Sequence, residues 1–356
     1  MLPRGRIKVT PEDFVVDELP AYLPSGEGEH LYVHFTKRNL TTEAAVRAIA
    51  HALGVHHRDC GVAGMKDKVG VTTQWMSVHA KDPALDARAA ALTLDGITIR
   101  EVKRHGNKLK TGHLAGNRFE IVVRGVAPED APRVLETLKR LGDEGLPNAF
   151  GYQRFGREGD NADRARAWLT GKERGPRDPR QRRFLWSALQ SAVFNEVLAV
   201  RVADGTWRIP LEGDLLKTTN GGLFVCTDVQ TDTERAARGE VTPTGPIIGV
   251  KMKPAAGRPA QIEREVAARV LGADFDLSAT KALGEGTRRV LRLGIDGMKA
   301  ELAPPGGEQD DGIRVYFVLP KGSFATTVLG AALELENAPE NAPETPETGA
   351  GETTDA

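Results

Sequence analysis

Apolar positions recur along the first third of this chain with two different periods, and the period assigns each segment. Leu31-Tyr32-Val33-His34-Phe35 is rich in β-formers and predicts a strand. Val46, Ile49, Ala50 and Leu53 then fall on one face of a helix over residues 41–53. Thr41 or Thr42 can cap its start, and Gly54 can end it. A loop holding Asp67 follows, and strands are predicted over 72–78 and 119–123. Asp130-Ala131-Pro132 offers a capping residue and an early proline to the next helix. Its apolar stripe is Val134, Leu135, Leu138 and Leu141, with Gly142 as its end.

Further on, Leu185, Leu189, Val193 and Val197 predict a long helix over 184–201. Short strands interrupted by glycine and proline follow around 221–226 and 244–250, and a last strand is predicted over 313–318. No internal repeat is present. This mixed order predicts an α/β (α+β) fold.

A chain of 356 residues suits two domains or one elaborated domain. Its hydrophobic content of 40% is ordinary for a globular protein. No stretch reaches the roughly 20 apolar residues of a membrane span, and the N-terminus lacks an apolar secretory core. Cys60 and Cys226 are too few for a disulfide framework. The expectation is a soluble cytoplasmic protein, monomeric by default, with no membrane association.

Net charge changes the picture once its placement is considered. The whole chain carries −1, yet residues 334–356 hold seven acids and no base, so residues 1–333 carry +6. The body is therefore mildly basic, which permits phosphate binding without requiring it. The acidic stretch repeats Pro, Glu, Thr and Ala and predicts a disordered, solubilising tail.

The histidines do not cluster with cysteines at metal-ligand spacing, so no metal is expected. Gly61-Val62-Ala63-Gly64-Met65-Lys66-Asp67 lacks the order of a phosphate loop and puts an acid where a hydroxyl should sit, so no nucleotide cofactor is expected. Lys66-Asp67-Lys68 alone reads as a solvated charge run in a turn. Its chemical reading is a carboxylate that flanking cations keep ionised, able to act as nucleophile or base. Asn148-Ala149-Phe150-Gly151-Tyr152-Gln153-Arg154-Phe155-Gly156 gathers amides, aromatics and an arginine. As a bland reading it is a turn with core aromatics; as a functional one it reads base edges, stacks bases and pairs phosphate. Lys103, Arg104, Lys108 and Lys110, and later Arg180, Arg182 and Arg183, are candidate contacts to an RNA backbone, as is Arg154.

Taken in order, these blocks resemble the TruD family of tRNA pseudouridine synthases. The resemblance starts at Lys8-Val9-Thr10-Pro11-Glu12-Asp13-Phe14 and runs through Gly64-Met65-Lys66-Asp67-Lys68, Thr72-Thr73-Gln74-Trp75 and Gly116-Asn117-Arg118-Phe119. It continues in the Asn148 block and Ser187-Ala188-Leu189-Gln190-Ser191, and ends at Pro320-Lys321-Gly322-Ser323-Phe324-Ala325-Thr326. It implies a V-shaped, two-domain protein whose pseudouridine synthase-like catalytic core is a twisted, mostly antiparallel sheet, with an α/β insertion. The implied divisions are a catalytic domain over 1–165 and 291–333, an insertion over 170–290, and the tail from 334.

The resemblance also implies the reaction: uridine 13 of a tRNA is converted to pseudouridine without a cofactor. The family's catalytic aspartate falls on Asp67. Its base-holding Asn and Phe fall on Asn148 and Phe150, its pocket-wall phenylalanines on Phe14 and Phe324, and a charge partner for the aspartate on Lys8. Three positions depart from the family pattern. Ala149 stands where an aromatic is frequent, Gly70 where alanine is usual, and Leu329-Gly330-Ala331 where an Arg-Glu pair often follows. A non-catalytic RNA-binding or tRNA-folding module would share the basic surface and the aromatics, but would be indifferent to Asp67.

Overall fold

The computed structural model describes residues 1–273, 275–303 and 312–336. The chain divides into two compact units, Met1–Asp143 with the chain from Ile295 onward, and Glu144–Gly294.

The first unit is built on one mixed sheet. Its strands run in the order Asp296–Leu302, Gly312–Pro320, Leu114–Arg124, Phe14–Pro20, Val71–His79, His30–Arg38, Ile97–His105. Both ends of the unit's sequence thus meet in one sheet: Gly312–Pro320 lies antiparallel to Leu114–Arg124, with Ile313 opposite Val123 and Phe317 opposite Phe119. Phe14–Pro20 and Val71–His79 are the one parallel pair in this sheet among the described residues, with Val15 opposite Val71. The short strand Cys60–Val62 also lies on Val71–His79, further along at Met76–Val78. The chain from Val62 to Val71 must therefore cross from one end of that strand to the other, and this crossing carries Asp67.

Alternation explains the core of this unit. Leu31, Val33 and Phe35 point inward and are fully buried beneath the helix Thr42–Leu53, through its Ala45, Val46, Ile49 and Leu53. That helix starts and stops at the residues its sequence offers. The Thr41 side chain accepts from Ala44 N, and Gly54 takes the left-handed conformation at φ 70°. The helix Ala131–Glu144 differs from expectation at its end. It runs through Gly142 to Glu144, and Gly145 takes the left-handed turn at φ 72°. Gly142 has a packing role instead, because a Cβ there would lie 2.5 Å from Met298 Cβ.

The second unit holds a four-stranded antiparallel sheet in the order Leu223–Val225, Leu215–Thr218, Val241–Ile247, Thr287–Val290. The helix Pro179–Ala203 carries its core through Leu185, Trp186, Leu189, Val193 and Val197, packed with Ile262 and Val266 of the helix Gly257–Leu271. It starts five residues before the expected start at 184. Asp178 caps it by accepting from Arg180 N at 2.9 Å, and Pro179 fits its first turn. Arg201 is buried with Asp214 in a two-pronged pair at 2.8 and 2.9 Å.

Residues 144–165, assigned by the resemblance to the first domain, pack with the second unit. Leu146–Pro147 pairs with Arg292–Leu293, and Asn148 N donates to Leu291 O. At the other end, Glu334–Leu335 is not tail: it pairs in parallel with Arg4–Gly5. From residue 337 on, the expected tail lies outside the described residues. Among the described residues, no helix is long and apolar enough to cross a membrane.

Candidate active site

Three neighbouring strands of the first unit spend inward positions on polar side chains. Phe14, Val16 and Glu18 alternate inward; so do Leu31, Val33, Phe35 and Lys37, and so do Thr72, Gln74, Met76 and Val78. A polar group at such a position is costly unless it is bonded. Glu18, Lys37 and Gln74 find partners on the loop that carries Asp67. Gln74 Nε2 donates to Gly64 O at 3.1 Å. Lys66 Nζ reaches Glu18 Oε2 at 2.5 Å, with both side chains almost wholly buried. Lys37 Nζ donates to Asp67 O at 2.6 Å and to Leu40 O at 2.6 Å.

The start of the helix Thr42–Leu53 adds a fourth tie. Thr42 Oγ1 accepts from Lys66 N at 2.8 Å and donates to Gln74 Oε1 at 2.9 Å. The loop is thus held at Gly64, Lys66 and Asp67 by hydrogen bonds to buried side chains. Burial sets the titration of two of these anchors. It pushes the Glu18 carboxyl above the usual carboxylate range, with Lys66 pulling part of the way back. It pushes the Lys37 ammonium down to about 8.

Against this fixed backbone the Asp67 carboxylate is open, with 59% of the side chain exposed. Lys8 Nζ stands 2.9 Å from Asp67 Oδ2 and 4.3 Å from the centroid of the Phe14 ring. Lys8 has φ 57° and Asn39 φ 55°; among the described residues they are the non-glycine residues with positive φ. Both border the loop, since Asn39 N donates to Gly70 O at 3.2 Å. Such conformations cost about 1–3 kcal/mol each and persist only where surroundings impose them. Gly70 has a reason of its own: at φ 145°, a Cβ there would sit 2.6 Å from Phe14 O. The departure from alanine is therefore what this backbone requires.

The sequence-derived residues divide between the units. Lys8, Phe14 and Asp67 come together in the first. Phe14 is 3% exposed and forms a floor beneath Lys8 and Gly70, not an open wall. Phe324, in the same unit, is 53% exposed and precedes the helix Ala325–Gly330.

Asn148 and Phe150 belong to the second unit. The Asn148 amide is engaged at both ends: Nδ2 donates to Val290 O at 2.9 Å, and Oδ1 accepts from Arg289 Nη2 at 2.7 Å. Asn195 grips the Phe150 backbone from both sides, accepting from its N at 2.8 Å and donating to its O at 3.0 Å. The Phe150 ring meets Phe194 edge-on at 5.5 Å, with Arg289 at 4.1 Å and Arg154 at 5.3 Å from its centroid.

Among the candidate backbone contacts, Lys103, Lys110, Arg154, Arg180, Arg182 and Arg183 are exposed, and Lys108 is half-buried. Lys103 also pairs with Glu101 at 2.6 Å. Arg104 differs. It is turned inward onto Asp86 and the carbonyls of Ala80 and Asp82, so its guanidinium ties the unit together. Glu18, Lys37, Thr42, Gln74 and Arg289 escaped the sequence reading. For the strand residues a signal existed: a charge or amide at an inward position of an otherwise apolar alternation.

Comparison with known proteins gives this arrangement its family. A sequence model described as "tRNA pseudouridine synthase D (TruD)" matches residues 3–171 and 177–331. A protein named tRNA pseudouridine synthase D from an Anaeromyxobacter species is 46% identical over 333 residues, covering 91% of each chain. A protein of the same name from Thermus thermophilus is 41% identical, covering 93% of this chain and 89% of its own. The fold is that of the crystal structure titled a putative tRNA pseudouridine synthase D (TruD) from Methanosarcina mazei, with a TM-score of 0.76 at 23% identity over 94% of each chain. A family match that spans both units, together with relatives this similar over nearly their whole length, places the chain in the TruD family of tRNA pseudouridine synthases.

Proposed function

We propose that this enzyme isomerises uridine 13 of tRNA to pseudouridine, with Asp67 as the carboxylate that engages the target nucleotide. The observation that carries the reading is the contrast at Asp67. Its backbone is pinned by buried partners, while its carboxylate is open to a ligand and paired to one cation. A carboxylate on a fixed backbone needs no cofactor to act as a nucleophile or base.

The reaction breaks the bond from C1′ to N1 of the uridine, turns the uracil and joins C5 to C1′, expelling the hydrogen from C5. A stacked base cannot turn, so the nucleotide has to leave the helix at a cost of a few kcal/mol. Stacking on an aromatic side chain offsets about 1–3 kcal/mol of that. Phe324, open to solvent, and Phe150 are the rings assigned to this role. Asn148 acts by holding the turn that carries Phe150 and by orienting Arg289. Lys8, backed by Phe14, pairs with the carboxylate and directs it. Affinity for the RNA backbone comes from Lys103, Lys108, Lys110, Arg154, Arg180, Arg182 and Arg183, and Arg104 is left out because its donors are spent.

The site of modification is tested by mapping pseudouridine in two tRNA transcripts that differ only in uridine or cytidine at position 13. The expected result is one pseudouridine, at that position, in the first transcript and none in the second. Pseudouridine elsewhere in both would keep the synthase and overturn the position.

A further inference from the structure

The buried arginines of the second unit follow a rule that Arg289 breaks. Arg201 is fully enclosed and carries a two-pronged bond to Asp214. Arg288 is fully enclosed and carries one to Glu263, at 2.9 and 2.6 Å. Arg289, the next residue, is half-buried, and among the described residues no carboxylate lies within ion-pair distance of it. Its partners are neutral. Nε donates to Asn148 O at 3.3 Å, Nη2 donates to Asn148 Oδ1 at 2.7 Å, and the rings of Phe150 and Phe194 lie 4.1 and 5.6 Å from its central carbon. Nη1 has no partner among the described residues.

The nearest cation makes the situation less comfortable, not more. Arg154 approaches the same Phe150 ring at 5.3 Å, and among the described residues its one side-chain hydrogen bond is a long one of 3.5 Å from Nη1 to Ser187 Oγ. It too has no carboxylate partner among the described residues. Burial and the charge of Arg154 together pull the Arg289 guanidinium down to about 10. Two guanidiniums set on one ring, one locked in orientation by an amide and neither neutralised, are an arrangement that a bound anion would stabilise. Guanidinium forks match the oxygens of a phosphodiester, and a group fixed beforehand loses little freedom on binding.

We propose that Arg289 and Arg154 together form a site for a single phosphodiester group of the RNA substrate. The site rests on the reading that the substrate is tRNA. It gives Arg289 a direct role in binding, and it makes the Phe150 turn a place where backbone and base recognition meet. Neutralising one phosphate has a signature of its own. The slope of log affinity against log salt changes by roughly 0.7 to 0.9 per phosphate contact. A side chain that only props up Asn148 and Phe150 would not change that slope.

The experiment measures tRNA binding over a range of salt concentrations for the intact protein and for Arg289→Gln, Arg289→Lys, Arg154→Gln and the double Gln variant. Release of C5 tritium from the same tRNA by wild type serves as a separate check. The expected result is about tenfold weaker binding for Arg289→Gln at moderate salt, with the slope reduced by one phosphate's worth. Arg289→Lys should restore the slope. The double variant should lose no more slope than either single one, because both arginines serve one phosphate. A slope unchanged in Arg289→Gln, with wild type still binding and releasing tritium, would overturn the anion site and leave the synthase reading intact. Two independent slope losses that add in the double variant would also overturn it. No tritium release by wild type would overturn the reading beneath it.

Discussion

Lys8 Nζ stands 2.9 Å from Asp67 Oδ2, and it does so from a residue held at φ 57°. The strained backbone and the Phe14 ring beneath it bring the ammonium to the carboxylate from the far end of the chain's first block.

The pairing predicts the effect of Lys8→Met. The side chain keeps its bulk over Phe14 but loses the charge and the hydrogen bond. A charge-assisted bond of this kind is worth about tenfold or more in rate when it directs a reacting group. Single-turnover rate at saturating tRNA should fall by at least about tenfold, with tRNA affinity changed by less than about threefold. An affinity loss without a rate loss would make Lys8 a backbone contact and nothing more.

Thr42 predicts a different pattern. Thr42→Val keeps the shape but leaves Lys66 N without its acceptor and Gln74 Oε1 without its donor. Leaving a buried polar group unpaired costs about 1–3 kcal/mol. Urea unfolding should show a loss of that size, and the rate at saturating tRNA should drop with it because the Asp67 loop is no longer held. Stability lost with the rate intact would detach this tie from the chemistry.

Lys37 supplies a pH dependence. Its ammonium titrates near 8 in the folded chain, against an ordinary lysine value of about 10.4 when unfolded. Below pH 8 both states are protonated, and the folded state bears the full cost of a buried charge. Between about 8 and 10.4 the unfolded chain binds more protons, so stability rises with pH through that window. Lys37→Met removes this term. Urea midpoints of wild type should therefore gain on those of the variant between pH 7 and about 9.5. A constant gap across that range would mean that Lys37 titrates as an exposed lysine does.

Much of the fold was legible in the chain because local pattern and tertiary packing agreed. The Thr42–Leu53 helix needed only its apolar stripe, its threonine cap and Gly54. The Gly142 helix end was misread because that glycine answers to Met298, which arrives from more than 150 residues later in sequence. The site was legible in a similar, partial way. Asp67 and Lys8 stand out as charges within recognisable blocks. The residues that hold the loop are single polar letters inside apolar strands, and their meaning depends on which loop the sheet brings above them. Arg289 gave no local sign at all. Its neighbour Arg288 has a carboxylate and, among the described residues, Arg289 does not, a distinction that the packing of the helix bearing Glu263 creates.

The central claim is that the Asp67 carboxylate does the chemistry, and the hydrogen expelled from C5 reports on it directly. tRNA labelled with tritium at C5 of its uridines should lose label to water with wild-type enzyme, as pseudouridine forms. Asp67→Asn, which keeps size and removes the charge, should bind the same tRNA and release no tritium above the background without enzyme. Release by Asp67→Asn at the wild-type rate would contradict the account.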